Sequence, residues 1–111
     1  MELAILEGCE RGALTRERGF EELYALYRPT VLGWLIVTAG RGPAEDLAQD
    51  VWTVFHRRWG SWRHDPASPD DGRPVLSFLY RTAHFVLRGH RRRRELRGEP
   101  LETADPPDER T

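Results

Sequence analysis

Between Phe78 and Arg94 the chain reads Phe-Leu-Tyr-Arg-Thr-Ala-His-Phe-Val-Leu-Arg-Gly-His-Arg-Arg-Arg-Arg. These residue types suit contact with a charged polymer that carries flat bases. Phosphates attract guanidinium groups, and unstacked bases find partners in aromatic rings. At about 100° per residue on a helix, Phe78, Arg81, Phe85, Arg88 and Arg92 fall in one sector, flanked by His84 and Arg91. A membrane surface or an acidic protein would use the arginines but would not require phenylalanines between them. A plainer arrangement fits too, in which both phenylalanines edge a broad core and arginine stems lie over them. The run Arg91 to Arg94 goes all round the helix, so its four members cannot face one ligand together.

A second polar set lies upstream. Asp46, Gln49, Asp50, Thr53 and Arg57 share a helical face opposite Leu47 and Val51, which makes either an ordinary solvated face or a docking surface for a basic partner. Catalytic chemistry has little to stand on. His64, Asp65, Asp70 and Asp71 sit among prolines without the rigid spacing that pre-organises metal ligands. His84 and His90 are six residues apart and cannot chelate together. No nucleophile elbow, phosphate-cradling glycine loop or paired-carboxylate pocket is present. The expectation is a protein that is not an enzyme and has neither metal nor cofactor.

Charge is segregated along a chain whose net charge is only −1. Residues 1–50 set five arginines against nine acids, residues 56–98 eleven arginines against four acids, and residues 99–111 one arginine against five acids. Such polarity offers a basic surface while the whole stays near neutral. Every cation other than histidine is arginine, which points more to a GC-rich genome than to function. Cys9 is the one cysteine, so no disulfide or cysteine zinc site forms within the chain. Glu2, Glu7 and Glu10 break up a signal-peptide core, and no apolar run is long enough to span a bilayer. A cytoplasmic setting without membrane insertion is expected.

The elements that must position these residues read as helices, with no period-two alternation and no hairpin dipeptide between apolar runs. Residues 1–14 are expected as an N-terminal extension with a short helix at Leu3–Leu14. Residues 15–98 are expected as one all-α domain, a compact bundle of three to four helices. Thr15 is a candidate N-cap for a stripe of Phe20, Leu23, Tyr24, Tyr27, Val31, Trp34 and Leu35, which Pro29 should kink or split. Gly40-Arg41-Gly42 should end that helix, and Pro43 should start the next at its first position, with Glu45 and Asp46 at the positive end of the dipole. Its buried stripe is Leu47, Val51, Val54 and Phe55, continued by Trp59 and Trp62. Arg63–Pro74 reads as a loop, and Val75 to Arg94 as the last helix, buried through Val75, Leu79, Ala83 and Val86. Residues 99–111 read as a disordered acidic, proline-rich linker or tail.

With those elements in order, the chain resembles region 2 of bacterial sigma factors of the extracytoplasmic-function group. Phe20-Glu-Glu-Leu-Tyr24 with Tyr27 and Pro29, Ala44-Glu-Asp-Leu-Ala-Gln-Asp-Val-Trp52, Phe78-Leu-Tyr-Arg81 and Arg91–Arg94 carry the likeness, over about residues 19–94. The resemblance implies a helical domain that docks on the beta-prime clamp helices of core RNA polymerase, through Asp46, Gln49 and Asp50 with Thr53 beside them. It implies that the last helix and the loop before it recognise and open the promoter −10 element, holding its non-template strand. Phe78, Arg81, His84, Phe85, Arg88, Arg91 and Arg92 are then the DNA-binding candidates. Phe78 stands where the family usually has tryptophan, His84-Phe85 where it often has Arg-Asn, and Gly89 near a usual Asp, so the family's −10 preference does not carry over. The chain ends where a linker to a −35-reading domain would begin, and is therefore expected to be less than a whole sigma factor. Two other readings remain open at this point: an interaction module sequestered by an anti-sigma factor, and a nonspecific nucleic-acid-binding bundle.

Overall fold

Thr15 opens the longest element of the protein, its hydroxyl accepting a hydrogen bond from the Arg18 amide at 3.0 Å. This is how a threonine N-cap satisfies one of the orphan N–H groups of a first helical turn. The computed structural model describes residues 1–63 and 72–98. They form four helices: α1 (Glu2–Glu10), α2 (Arg16–Ala39), α3 (Arg41–Trp59) and α4 (Pro74–Leu96). The fold is all-α, a helical bundle in which α2 packs along α3, α3 along α4, and α1 along α2.

Buried positions on α2 recur every four residues, at Leu23, Tyr27, Val31, Leu35 and Ala39. Pro29 lies on the exposed side and does not split the helix. The carbonyl that its missing N–H leaves unpaired belongs to Ala25, which is also exposed, so water can take the place of the lost bond. Gly40, at φ +92°, both ends α2 and precedes the first residue of α3. A left-handed φ of this kind is open to glycine at little cost. Arg41 and Gly42 already belong to α3, which puts Pro43 at the third helical position rather than the first. It remains within the turn whose N–H groups have no intrahelical acceptor, so its lack of a donor still costs nothing.

On α3 the buried residues are Ala44, Leu47, Val51, Trp52, Phe55 and Trp59, whereas Val54 is half-buried. Phe55 is the hub of an aromatic core. Its ring centroid lies 5.6 Å from Phe20, 5.6 Å from Trp59, 5.8 Å from Trp62, 5.9 Å from Phe78 and 6.0 Å from Trp52. Aromatic pairs at these separations add to the stability that burial alone provides. Pro74 starts α4, at the position where proline is best tolerated. The helix buries Val75, Leu79, Thr82, Ala83 and Leu87; Leu87 rather than Val86 completes its inward stripe. Gly98, at φ +73°, follows the last turn, its N–H donating to the Glu95 carbonyl at 3.0 Å.

The N-terminal segment is part of the same core. Ile5 and Leu6 are buried with the residues of the other helices, and the helix there ends at Glu10 rather than Leu14. The expected tail at 99–111 and most of the loop between α3 and α4, with His64, Asp65, Asp70 and Asp71, lie outside the described residues. Among the described residues no helix is long and apolar enough to cross a membrane.

Candidate functional site

On α4 the face singled out in the sequence divides in two. Phe78 turns inward and is half-buried, with its ring 5.4 Å from Trp62 and 5.9 Å from Phe55. Phe85, two turns on, is 67% exposed. Arg81, Arg88 and Arg92, in the same helical sector, are exposed too. Phe85, Arg88, Gly89, Arg91, Arg92 and Glu95 line an open depression at this part of the helix. Gly89 keeps that depression shallow-walled; the nearest atom to a Cβ there would be the Arg93 guanidinium at 3.3 Å. A large aromatic ring exposed to water on a helix face that also carries arginines can stack on a base while the cations meet its flanking phosphates.

The neighbouring residues have partners on α2. The His84 imidazole lies 4.7 Å from the Trp34 ring at an interplanar angle of 63°. Arg91 is half-buried and donates to the Thr38 carbonyl at 2.8 Å. Four of the seven α4 candidates therefore make one outward face: Arg81, Phe85, Arg88 and Arg92. Phe78 anchors the helix to the core, His84 borders α2, and Arg91 bridges to it. His90, also half-buried, has its pKa lowered, first by burial and then by Arg94, Arg93, Arg97 and Arg91.

On α3, Asp46, Gln49, Asp50 and Thr53 are all exposed on one side, with Glu45 beside them. Among the described residues neither Asp46 nor Asp50 has an ion-pair partner. The Thr53 hydroxyl donates to the Gln49 carbonyl at 2.9 Å, one turn back. Gln49 also borders a cleft between α2 and α3, lined in addition by Tyr24, Arg28, Leu32, Glu45, Ala48 and Trp52. The sequence did not single out this cleft. Trp52 is 7% exposed and, among the described residues, its indole N–H has no hydrogen-bond acceptor, whereas buried indole N–H groups usually find one.

Residues 23–97 match the family model for sigma-70 region 2, over more than half of the chain. The chain belongs to the sigma-70 region 2 family. Sigma-factor domains of this family serve transcription initiation, in RNA polymerase binding and promoter recognition, and the family is non-enzymatic. No curated protein and no solved structure matches the chain.

The sigma-70 region 2 match begins inside α2 and takes in both polar faces, on α3 and on α4. It leaves out α1 and residues 11–22, and here the structure holds two residues that sequence reasoning passed over. The Glu2 carboxylate is 3% exposed and accepts three hydrogen bonds: from the Val75 amide at 2.6 Å, the Leu76 amide at 3.2 Å and the Tyr27 hydroxyl at 2.6 Å. Burial, and then this bond, raise the Tyr27 pKa. Arg16 lies 4.8 Å from the centre of the Trp59 ring and donates to the carbonyls of Trp59 at 3.3 Å and Trp62 at 2.6 Å. The Trp59 indole N–H returns a bond to the Arg16 carbonyl at 2.7 Å. Partners 73 and 46 residues away leave no periodic trace in a sequence, so neither contact could be found from spacing.

Proposed function

We propose that this sigma-70 region 2 domain belongs to a sigma factor of the extracytoplasmic-function type. In this reading α3 docks on the beta-prime clamp helices of core RNA polymerase and α4 holds the opened promoter −10 element. The docking face is Asp46, Gln49 and Asp50, with Thr53 at its edge. The DNA face is Arg81, Phe85, Arg88 and Arg92, with His84 bordering it and Phe78 fixing the helix beneath it.

The observation that carries the reading is Phe85, a phenylalanine two-thirds in water that shares an open depression with Arg88, Arg91 and Arg92. Exposure of such a ring brings no folding benefit, whereas stacking on a base is worth about 1–3 kcal/mol and tolerates different bases. Promoter opening needs both terms. Taking a base out of the duplex stack costs a few kcal/mol, and aromatic stacking with phosphate pairing offsets it on the opened strand. The acidic face of α3 carries charge of the opposite sign, so it repels DNA and suits a basic protein surface. The two activities thus fall on adjacent helices.

A pull-down on core RNA polymerase with the double variant Asp46→Arg, Asp50→Arg tests the docking half. We expect loss of polymerase retention with an unchanged far-UV circular dichroism spectrum; undiminished retention refutes the assignment of that face. Discrimination between a −10 non-template strand and a scrambled strand separates promoter reading from nonspecific nucleic-acid binding.

A further inference from the structure

The helices that carry the two proposed faces are braced by residues from outside both of them where the chain passes from one to the other. α3 ends at Gly60 in a right-handed conformation, and its last turn is tightened by bonds from the Ser61 amide to the Arg58 carbonyl at 3.1 Å and from the Trp62 amide to the Trp59 carbonyl at 3.2 Å. α4 begins after Arg73 with no side-chain cap from its own segment. Both ends receive partners from residues 1–22, the part of the chain outside the family match: Arg16 adds to the turn that closes α3, and Glu2 supplies the side-chain cap that α4 lacks in its own segment.

Within the first turn of α4 the N–H groups after the N-cap are accounted for. Pro74 has none, Val75 and Leu76 donate to the Glu2 carboxylate, and Ser77 donates to the Arg73 carbonyl at 3.0 Å. A carboxylate there also meets the positive end of the helix dipole, which offsets the cost of burying its charge. At the end of α3, Arg16 brings a cation to the negative end of the dipole and donates to two carbonyls, one of which also accepts from Arg63 at 2.9 Å. The two clamps hold the chain on either side of residues 64–71.

We infer that Glu2 and Arg16 are positioning residues for DNA binding. By fixing the end of α3 and the first turn of α4 they set the angle at which Arg81 and Phe85 are presented, without touching DNA themselves. The chain of contact runs from Glu2 to the Val75 and Leu76 amides, then to Phe78 seated on Phe55 and Trp62, and from there one turn to Arg81. Release of the first turn frees Phe78 to shift and lets the face rotate. The acidic face of α3 lies nearer the other end of that helix, so polymerase docking should be spared. The inference rests on the proposed division of labour between α3 and α4.

The test compares the wild-type chain with Glu2→Ala, Glu2→Gln and Arg16→Ala at a temperature where circular dichroism shows each folded. The probes are a fluorescein-labelled 12-nucleotide single strand of mixed sequence, core RNA polymerase, and hydrogen exchange at Val75 and Leu76. Loss of a helix cap typically weakens the capped state by about fivefold, and we expect the DNA Kd of Glu2→Ala and Arg16→Ala to rise by about that factor or more. Polymerase affinity should change less than twofold. Glu2→Gln, which keeps one acceptor oxygen, should fall between. Exchange at Val75 and Leu76 should quicken in Glu2→Ala. If Glu2→Ala does not stay folded, Tyr27→Phe, which removes only one donor to the carboxylate, takes its place with a smaller change of the same kind. Unchanged DNA affinity in a folded variant overturns the inference, as does equal loss of DNA and polymerase, which marks a merely structural role. A wild-type chain that binds neither probe overturns the functional reading itself.

Discussion

The Arg91 guanidinium donates to the Thr38 carbonyl at 2.8 Å, tying α4 to the last turn of α2. Carbonyls in a last turn have no intrahelical donor, and a cation there also meets the negative end of the dipole. Arg91 is thereby set apart from its neighbours Arg92 and Arg93, which are exposed. Arg91→Ala should lower unfolding stability by about 1.5 kcal/mol, the low end of the range for a bond with a charged group, since the side chain is only partly buried. It should change the salt dependence of DNA binding less than Arg88→Ala, which should flatten the slope by up to about one phosphate's worth. Urea melts and salt titrations of the two variants measure both effects. An Arg91→Ala slope change equal to that of Arg88→Ala would place Arg91 on the DNA.

Phe78 and Phe85 share a helical sector in the sequence but differ in burial, and their alanine variants should part accordingly. Phe85→Ala should leave stability within about 0.5 kcal/mol, as surface substitutions usually do. It should weaken binding of a single strand by about 1–3 kcal/mol. Phe78→Ala, which empties a site between Phe55 and Trp62, should cost about 2 kcal/mol or more of stability. Thermal melts and fluorescence anisotropy distinguish the two. If Phe85→Ala binds single strands like the wild type, stacking at that residue is ruled out.

His90 gives the fold a pH dependence of definite sign. Burial, and then Arg94, Arg93, Arg97 and Arg91, lower its pKa below the ordinary 6.5. The unfolded chain therefore takes up a proton at His90 before the folded one does, and the contribution of His90 to stability falls as pH drops below about 6.5. Above that value His90 is neutral in both states and contributes no slope. His90→Gln should flatten the stability profile between pH 5 and pH 6.5 relative to wild type, as read from urea midpoints across that range. A wild-type profile as flat as that of the variant would contradict the sign.

The all-α architecture was legible in the sequence because its cues are local. Thr15 at an N-cap, glycine at position 40 and the apolar stripes of α2 and α3 are read within a few residues of one another. Of the two outcomes expected at Pro29, a kink or a split, the split does not occur: α2 continues through it, and the carbonyl left without its donor belongs to the exposed Ala25. Both candidate faces were also legible from spacing, yet spacing could not tell Phe78 from Phe85, because 100° per residue fixes a direction and not the height of the neighbouring helix. Phe55 and Trp62 take in Phe78, and Thr38 on α2 takes the Arg91 guanidinium, while among the described residues nothing comparable covers Phe85. The clamps made by Glu2 and Arg16 were hidden for the same reason, being wholly tertiary.

Gly19 shows what such tertiary constraint demands of a single position. It is buried on α2, and a Cβ there would overlap Cys9 Sγ and stand 3.2 Å from Cζ2 of Trp59. Trp59 cannot easily give way, since its indole is held by the Arg16 carbonyl and covered by the Arg16 guanidinium. Alanine normally favours a helix interior over glycine by up to about 1 kcal/mol, so an open site would make Gly19→Ala stabilising. Here we expect a loss of about 1–3 kcal/mol, as for other overpacked interiors. Cys9→Ala removes the overlapping sulfur, and the double variant should recover much of that loss, giving a non-additive cycle. Urea denaturation of the wild type, the two single variants and the double variant measures the coupling. Additive losses would mean that the strain lies against Trp59 alone, and a stabilised Gly19→Ala would mean that α1 does not press on α2 as described.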